Sequence, residues 1–574
     1  MLSGLLFEAR RFEEASLLLE RLVAIAPHAA YFTNLGEAYR RQGALASAAA
    51  ACQRAIAADP DLPEAHHNLG LVLMDAGAPD QAHPHLERAV ALRPDSAPFH
   101  VSLAWMLLGL HRVALATVHC RRAIALSPNL AAAHHHLGNA LTEEGDRSGA
   151  IASYRRAVEL DPADHDAQSN LILVALTDPS YDATKLGAEA REWARLHAEP
   201  LREHRRPHTT DGDPNRRLRI GYVSPDFRGH HPLRQFLMPL LRHHDRSLFD
   251  VYLYASVARP DAVTEEYRAW AGENFRDIRR MDDVGAAELV RRDRIDNLVD
   301  LAVHGAGHRL RLFACKPAPI QMTWLGYPGT TGLEAIDYRL TDPFLDPPGT
   351  SLGVYSEASL HLPETFWCYD AQEPDLPLRP LPALAAGFVT FGALGSTRKV
   401  HPGTVSLWAR VLGAVPGSRL LLVAEEHALA SMRRAFGEAG IEAGRIELTG
   451  RVGRRAYLEH YHRIDIGLDT FPFAGGTTSL DAIWMGVPIV TLSGGTVLHR
   501  AGVSIAMNLG LPELVAGSPD QYVSAATELA RDLERLSRLR AQLRSRLAAS
   551  PLGDAPRFAR HLEAAYRTVW AQRR

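Results

Sequence analysis

The chain repeats itself. Leu35, Leu69, Leu103, Leu137 and Leu171 fall in register at steps of 34 residues, and Ala55, Ala89, Ala123 and Ala157, each preceded by Arg, keep the same step, as do Pro60, Pro94, Pro128 and Pro162. A period of this size dictates architecture, because one short unit cannot bury its apolar face alone, whereas stacking on its neighbours can. Within each unit apolar residues recur at helical spacing, and Gly43, Gly77 and Gly145 divide it into two helices. The spacing predicts a superhelix of about four whole helical pairs from residue 29 to 164, a half repeat before them and one capping helix after. Cys52 and Cys120 lie 68 residues apart, two periods, and read as small buried hydrophobes.

The order Leu35, Gly36, Tyr39, Ala48, Ala55, Pro60 resembles the tetratricopeptide repeat, so residues 1–177 are expected to form an α-solenoid. Past residue 178 the period dies, and 178–215, whose end overlaps the charge-, His- and Pro-rich run LREHRRPHTTDGDPNRR (201–217), reads as a linker. Strand-length apolar runs then alternate with helical ones: LRIGYVS (218–224), a helix over 232–243, FDVYLYAS (249–256) and NLVDLA (297–302). After the Pro-rich DLPLRPLPAL (375–384) come FVTFGAL, RLLLVA, RIELTG, IDIGLD and VPIVTLSG, then helices over 519–548 and 555–571. Such alternation means parallel sheets covered on both faces. Two Rossmann-like domains are expected, 216–384 and 385–574, the second carrying the terminal helices, with ligand bound where the carboxyl ends of their strands face a common cleft.

Composition narrows the function. A chain of 574 residues suggests about three to four domains. Lys+Arg 63 against Asp+Glu 66 leaves a net charge of −3, with no global cationic field for nucleic acid. Cys52, Cys120, Cys315 and Cys368 contain no C-x-x-C, which excludes a disulfide framework and a structural zinc site and fits a reducing, cytoplasmic location. Glu8 and Arg10 break the N-terminal apolar run, and no run of 18 apolar residues occurs, so neither a secretory signal nor a membrane span is expected. The Arg-rich stretch from 531 to 574 also carries Asp and Glu and reads as a solvated face, without membrane contact.

Four stretches could carry chemistry. In LDTFPFAGGTTSLDAIWMGVPIVTLSGG (468–495), Gly475 and Gly476 let the backbone approach a ligand, and Thr477 and Thr478 add hydroxyls at a helix start whose free N–H groups suit a diphosphate. The same residues equally describe a capping box, Thr478 with Asp481, and no ligand. APIQMTWLGYPGTTGLEAIDYRLTD (318–342) holds a tight turn at Gly326 and Pro328. VSPDFRGHHP (223–232) places His230 in the loop leaving the first strand, and TFGALGSTRKVHP (390–402) places Lys399 after the first strand of the second half.

Together D-F-x-x-H, APIQ-x-x-WLGYPGTTG, F-x(7)-K-x-x-P and LDTFP-x-x-GGTT-x-x-D are similar to the motifs of the protein O-linked N-acetylglucosaminyltransferases, glycosyltransferase family 41, which carry tetratricopeptide repeats ahead of a GT-B catalytic region. The long insert between the catalytic halves of animal members is absent, as in bacterial-type members.

The resemblance implies an inverting transfer of N-acetylglucosamine from UDP to Ser or Thr hydroxyls of proteins. It places the donor diphosphate at Gly475, Gly476, Thr477 and Thr478, with Asp481 on the ribose and Lys399 on the diphosphate. A fixed cation there stabilises charge growing on the departing UDP, so no metal or other cofactor is expected. The D-x-D strings Asp211 to Asp213 and Asp164 to Asp166 are badly placed to hold one. His230 corresponds to the family's candidate base; positioning of donor or acceptor explains it equally. His304 occupies another loop expected to face the cleft. Tyr457 stands where the family usually has a histidine against the uracil, and could stack on the base. Ala474 replaces the motif's usual Asn, and Gly476 and Arg398 differ from animal members, so the sugar pocket differs.

Asparagines before the Leu-Gly pair line the family's inner repeat surface and grip an extended protein acceptor; here that position holds Asn34, Asn68, Ser102, His136 and Asn170. A side-chain amide can pair with both N–H and C=O of a passing chain. An array of this kind equally serves to bind another partner or to join two copies as a homodimer. Two rival functions share these features: a protein O-fucosyltransferase using GDP-fucose or another nucleotide sugar, and a repeat scaffold with a decayed catalytic half.

Overall fold

A computed structural model describes residues 2–572 apart from 10, 209–212, 214, 230, 351–352, 425–428 and 451, and the side chains of 2, 3, 8, 429 and 430 are also outside it. The chain forms two compact units, Met1–Ala167 and Gln168–Arg574.

The first unit is the helical array. Helices Leu2–Glu8 and Phe12–Ile25 precede four pairs: Ala29–Arg41 with Leu45–Ala58, Pro63–Asp75 with Pro79–Leu92, Ala97–Gly109 with Val113–Leu126, and Ala131–Glu144 with Arg147–Leu160. One repeated contact explains the Leu-Gly pattern. A Cβ on Gly36 would lie 2.4 Å from Cys52 Sγ, one on Gly70 2.5 Å from Leu86, and one on Gly138 2.6 Å from the Tyr154 ring. The first helix of a pair must therefore be small where the second inserts its side chain, and in the third pair Ala104 and Cys120 share one buried cluster. Gly43, Gly77 and Gly145 turn the chain at φ 75°, 79° and 82°, and His111 takes the same left-handed conformation in the third pair, at φ 56°. Both repeat cysteines are fully buried.

The repeat unit ends before the expected boundary at 177. Helix His165–Ala175 turns its apolar face into the second unit, where Ile172 joins Trp193 and Val223, and Ala175 and Leu176 pack with Val303 and Tyr327. Residues 183–204 of the expected linker over 178–215 are helical. Helix Ala183–Trp193 runs on through Ala194–Ala198 and Glu199–His204, and Leu186, Ala190, Trp193 and Ala194 are buried at helical spacing beneath its charged face.

The second unit holds two all-parallel sheets. The first has the order β3-β2-β1-β4-β5-β6-β7, with β1 Leu218–Ser224, β2 Phe249–Ala255, β3 Phe275–Asp277, β4 Asn297–Asp300, β5 Ile320–Thr323, β6 Tyr338–Thr341 and β7 Ala358–His361. The second has the order β10-β9-β8-β11-β12-β13, with β8 Thr390–Ala393, β9 Arg419–Val423, β10 Ile446–Thr449, β11 Ile466–Leu468, β12 Ile489–Leu492 and β13 Val515–Ala516. This is the GT-B arrangement of two Rossmann-like sheets.

The helix expected over 519–548 is broken at Asp532, whose side chain caps Leu533–Ala549. The final helix, Ala555–Gln572, departs from the expected division at 384, because it returns to the first sheet. Tyr566 Oη lies 3.0 Å from Tyr222 Oη, and Glu563 accepts from the Asp245 amide at 2.9 Å and meets His244 Nδ1 at 2.9 Å. Among the described residues no helix is long and apolar enough to cross a membrane.

Candidate active site

The carboxyl ends of the two sheets face one cavity of about 350 Å³. His231 and Pro232 reach it after β1, Leu325 to Pro328 after β5, Gly395, Ser396 and Lys399 after β8, and Phe473, Ala474 and Gly476 to Thr478 after β11. Of the residues expected at the site, Gly326, Pro328, Lys399, Gly476, Thr477 and Thr478 line it.

Helix Thr477–Trp484 starts at this cavity with Gly476 as its N-cap and no side-chain cap. The capping-box alternative fails, because Asp481 faces elsewhere. Its carboxylate accepts two bonds from Arg454, each 2.6 Å, and one from Tyr369 Oη at 2.5 Å. Asp481 is buried, and Arg454 and Tyr369 were not foreseen beside it.

Both glycines of the turn are required by close approach. A Cβ on Gly475 would lie 2.5 Å from Ser479 Oγ, and one on Gly476 2.8 Å from the Trp367 ring. The turn is held from beneath by Asp469, which accepts from the Thr470 amide at 2.9 Å, the Gly475 amide at 2.7 Å and Thr491 Oγ1 at 2.8 Å. Burial pushes the Asp469 carboxyl up to about 6, against the pull of these donors and of Lys399.

Lys399 is the cation of the site. Its ammonium donates to the Ala474 carbonyl at 3.2 Å and lies 3.9 Å from the centre of the Phe473 ring. Burial pulls it down to about 8, and Asp469 acts in the opposite direction. An anion in the cavity would restore its full charge.

The wall from the first sheet stores backbone strain. Val303, Leu325 and Gly326 have φ of 51°, 66° and 23°, and two of them are not glycine. Asp300, at the end of β4, accepts from the Val303 amide at 2.8 Å and from Thr323 Oγ1 at 3.0 Å, and burial raises it to about 7. The neighbouring Thr-Thr pair serves the turn rather than the cavity, since Glu357 accepts from Thr330 Oγ1 at 2.7 Å and the Thr331 amide at 2.7 Å.

Two expected site residues lie elsewhere. His304 is fully buried away from the cavity, with Nε2 3.0 Å from the Thr331 carbonyl, Nδ1 3.4 Å from Ser169 Oγ and its ring edge-on to Trp193. Desolvation pushes its pKa well below the ordinary imidazole value, which favours the neutral ring. Tyr457 does not line the cavity either; its hydroxyl lies 2.9 Å from that of Tyr461, which in turn donates to the Thr478 carbonyl. Gly475 is buried directly beneath the lining turn. His230 falls outside the described residues, but its neighbour His231 lines the cavity, with Nδ1 accepting from the Leu233 amide at 3.3 Å.

In the repeat unit Asn34 is exposed, and Asn68 is half-buried with its amide donating to the Thr33 carbonyl at 3.3 Å. Asn170 belongs to the other unit and is half-buried there.

Residues 192–375 and 379–562 match the family model described as glycosyl transferase family 41. Tetratricopeptide models match 36–77, 67–131 and 138–173. A solved structure of a mutant O-GlcNAc transferase from Thermobaculum terrenum is similar at 36% identity and TM-score 0.79, covering 95% of this chain and 98% of that one. A rice protein described as a probable UDP-N-acetylglucosamine-peptide N-acetylglucosaminyltransferase SPINDLY is 39% identical over 73% of this chain and 46% of its own length. A Caenorhabditis elegans UDP-N-acetylglucosamine-peptide N-acetylglucosaminyltransferase is 25% identical over 62% of this chain and 41% of its own. The chain spans about half the length of the curated relatives it matches.

Proposed function

The chain belongs to glycosyl transferase family 41, and from that membership we propose that it transfers N-acetylglucosamine from UDP-N-acetylglucosamine to Ser or Thr hydroxyls of proteins, with inversion and without a metal. The observation that carries this reading is Lys399, a half-buried cation beside the uncapped start of helix Thr477–Trp484 in a cavity between two Rossmann-like sheets. The relatives' descriptions supply the sugar, the nucleotide and the peptide acceptor.

In this reading the donor's diphosphate lies on the free amides of Thr477 and Thr478, with Lys399 on the same charge. As the acceptor hydroxyl attacks the anomeric carbon from the opposite face, the glycosidic C–O bond breaks and its electron pair leaves with UDP. A preorganised ammonium and helix start stabilise that growing charge more than the ground state, which is the condition for raising turnover. Lys399 thereby fills the role that a donor-bound metal has elsewhere. The hydroxyl proton goes to a base, for which His230 is the candidate its motif supplies. The repeat unit presents Asn34 and Asn68 to an extended acceptor chain. A cytoplasmic location and pairing of two copies through the repeats belong to the same reading.

The test is calorimetric titration with UDP and GDP in chelator, followed by mass spectrometry of a protein acceptor incubated with UDP-N-acetylglucosamine or GDP-fucose. UDP binding without metal and a mass gain of one N-acetylhexosamine are expected. Preference for GDP and GDP-fucose, or strict dependence on magnesium or manganese, would refute it.

A further inference from the structure

A second cavity, of about 690 Å³, opens at the opposite, amino ends of the first sheet. Six arginines line it, Arg206, Arg216, Arg217, Arg219, Arg291 and Arg294, and Asp296 is the one carboxylate among its described lining residues. They come from three places in the sequence: the segment entering β1, the end of helix Asp283–Arg292 and the turn into β4.

These charges are incompletely balanced. Asp296 is consumed by Arg216, which forks onto it at 2.7 and 2.5 Å, and by the Arg219 amide at 2.8 Å. Arg206 and Arg291 share one carboxylate, Glu288, at 2.9 and 2.8 Å. Arg217 reaches Asp250 at 3.3 Å. Among the described residues the Arg219 guanidinium donates to the Asp293 carbonyl alone, at 3.2 Å, while the Asp293 carboxylate is held by Arg276 at 2.9 and 2.8 Å. The Arg294 amide closes the helix end on the Arg291 carbonyl at 3.0 Å, but its guanidinium has no hydrogen-bonding or ionic partner among the described residues, although it lines the cavity. Among the described residues, two arginines sharing one carboxylate and two with none leave three positive charges unanswered.

Arg294 also stands where backbone chemistry favours another residue. It follows the helix end at φ 54°, a left-handed position that suits glycine. An arginine held there puts its guanidinium at the cavity at a conformational cost.

We propose that this cavity is a binding site for a compact soluble anion carrying two or more phosphate groups. Guanidinium groups pair with phosphate oxygens in two-pronged fashion, and a concave wall of one sign concentrates the field on a small ligand. Pro207, Pro317 and Pro319 bound the space. A nucleic-acid strand would need an extended basic track, which a chain of net charge −3 does not provide in general. The site is separate from the donor cavity and independent of the donor's identity.

The experiment is calorimetric titration of the full chain with tripolyphosphate, in wild type, Arg294→Gly, Arg219→Gln with Arg294→Gly, and Lys399→Ala. With the donor cavity saturated by UDP, one molar equivalent should bind to wild type and to Lys399→Ala alike, and at least 10-fold more weakly to the double variant. Arg294→Gly removes a charge and relieves the backbone, so it should weaken binding while its Tm stays level or rises, which separates lost binding from lost folding. Orthophosphate should bind at least 10-fold more weakly than tripolyphosphate. The proposal is overturned by absence of saturable binding, by unchanged affinity in both arginine variants, by loss of binding in Lys399→Ala, by equal affinity for orthophosphate, or by tighter binding of a single-stranded oligonucleotide through the same arginines.

Discussion

Arg454 grips Asp481 with two guanidinium nitrogens, each 2.6 Å from the carboxylate, and Tyr369 adds its hydroxyl from the segment that follows β7. Removing one member leaves the other uncompensated in a largely dry place. Asp481→Ala should therefore cost about 3 kcal/mol of stability, and Asp481→Ala with Arg454→Met should recover a substantial part of it. Denaturant unfolding of the two single variants and the double variant measures the coupling. UDP titration of the same set separates roles: if Asp481 touches the nucleotide, affinity stays low in the double variant; if it only holds the helix, affinity returns with stability.

Burial pulls Lys399 down to about 8, and a bound diphosphate should raise it again. The free ammonium loses its proton as pH rises through 8, whereas the bound one keeps it. UDP binding at pH 8.5 should accordingly take up a fraction of a proton, and UDP affinity should fall as pH rises above 8. Calorimetry in buffers of different ionisation enthalpy reads the uptake, which should vanish in Lys399→Met. Lys399→Ala should lower turnover by about 100-fold or more, with a smaller effect on donor affinity.

Gly36 faces Cys52 with no room for a Cβ, at 2.4 Å from Sγ. Gly36→Ala should destabilise the repeat unit by about 1 to 3 kcal/mol through overpacking. Cys52→Ala in the same chain should return much of that loss by clearing the space. Thermal unfolding of the three variants checks it, and a Gly36→Ala chain of unaltered Tm would show that the helices simply shift apart.

Asn34 and Asn68 occupy one repeated position of the helical array. Changing both to Ala should raise the KM of a long protein acceptor and leave that of a short peptide, and UDP affinity, unchanged. Stability should move by no more than about 0.5 kcal/mol at Asn34, which is exposed. Equal effects on both acceptors would assign the array to assembly instead.

The repeat helices and the principal strands of both sheets could be read from the chain because their signals are local. A helical pair closes within one 34-residue unit, and β1 is the apolar run Leu218–Ser224 itself. The helix start at Thr477 and the lysine after β8 were legible for the same reason, as short motifs whose geometry is set by a few consecutive residues. His304 misled because its loop follows a strand end, a usual place for function, while its surroundings come from Ser169, Trp193 and Thr331. Residues 183–204 read as linker because their apolar face is narrow, Leu186, Ala190, Trp193 and Ala194 among many charges.

What the sequence determined by itself was therefore whatever is encoded at spacings of one helix, one strand or one turn: the solenoid, the two parallel sheets and the motifs at their strand ends. Tertiary structure decided which side chains answer each other across the chain. Arg454 on Asp481, Trp367 against Gly476, Asp469 beneath the glycine turn and Tyr566 on Tyr222 each join residues brought together by packing. A buried charge or hydroxyl needs a partner, but nothing in its local spacing says which distant residue the fold will bring to it.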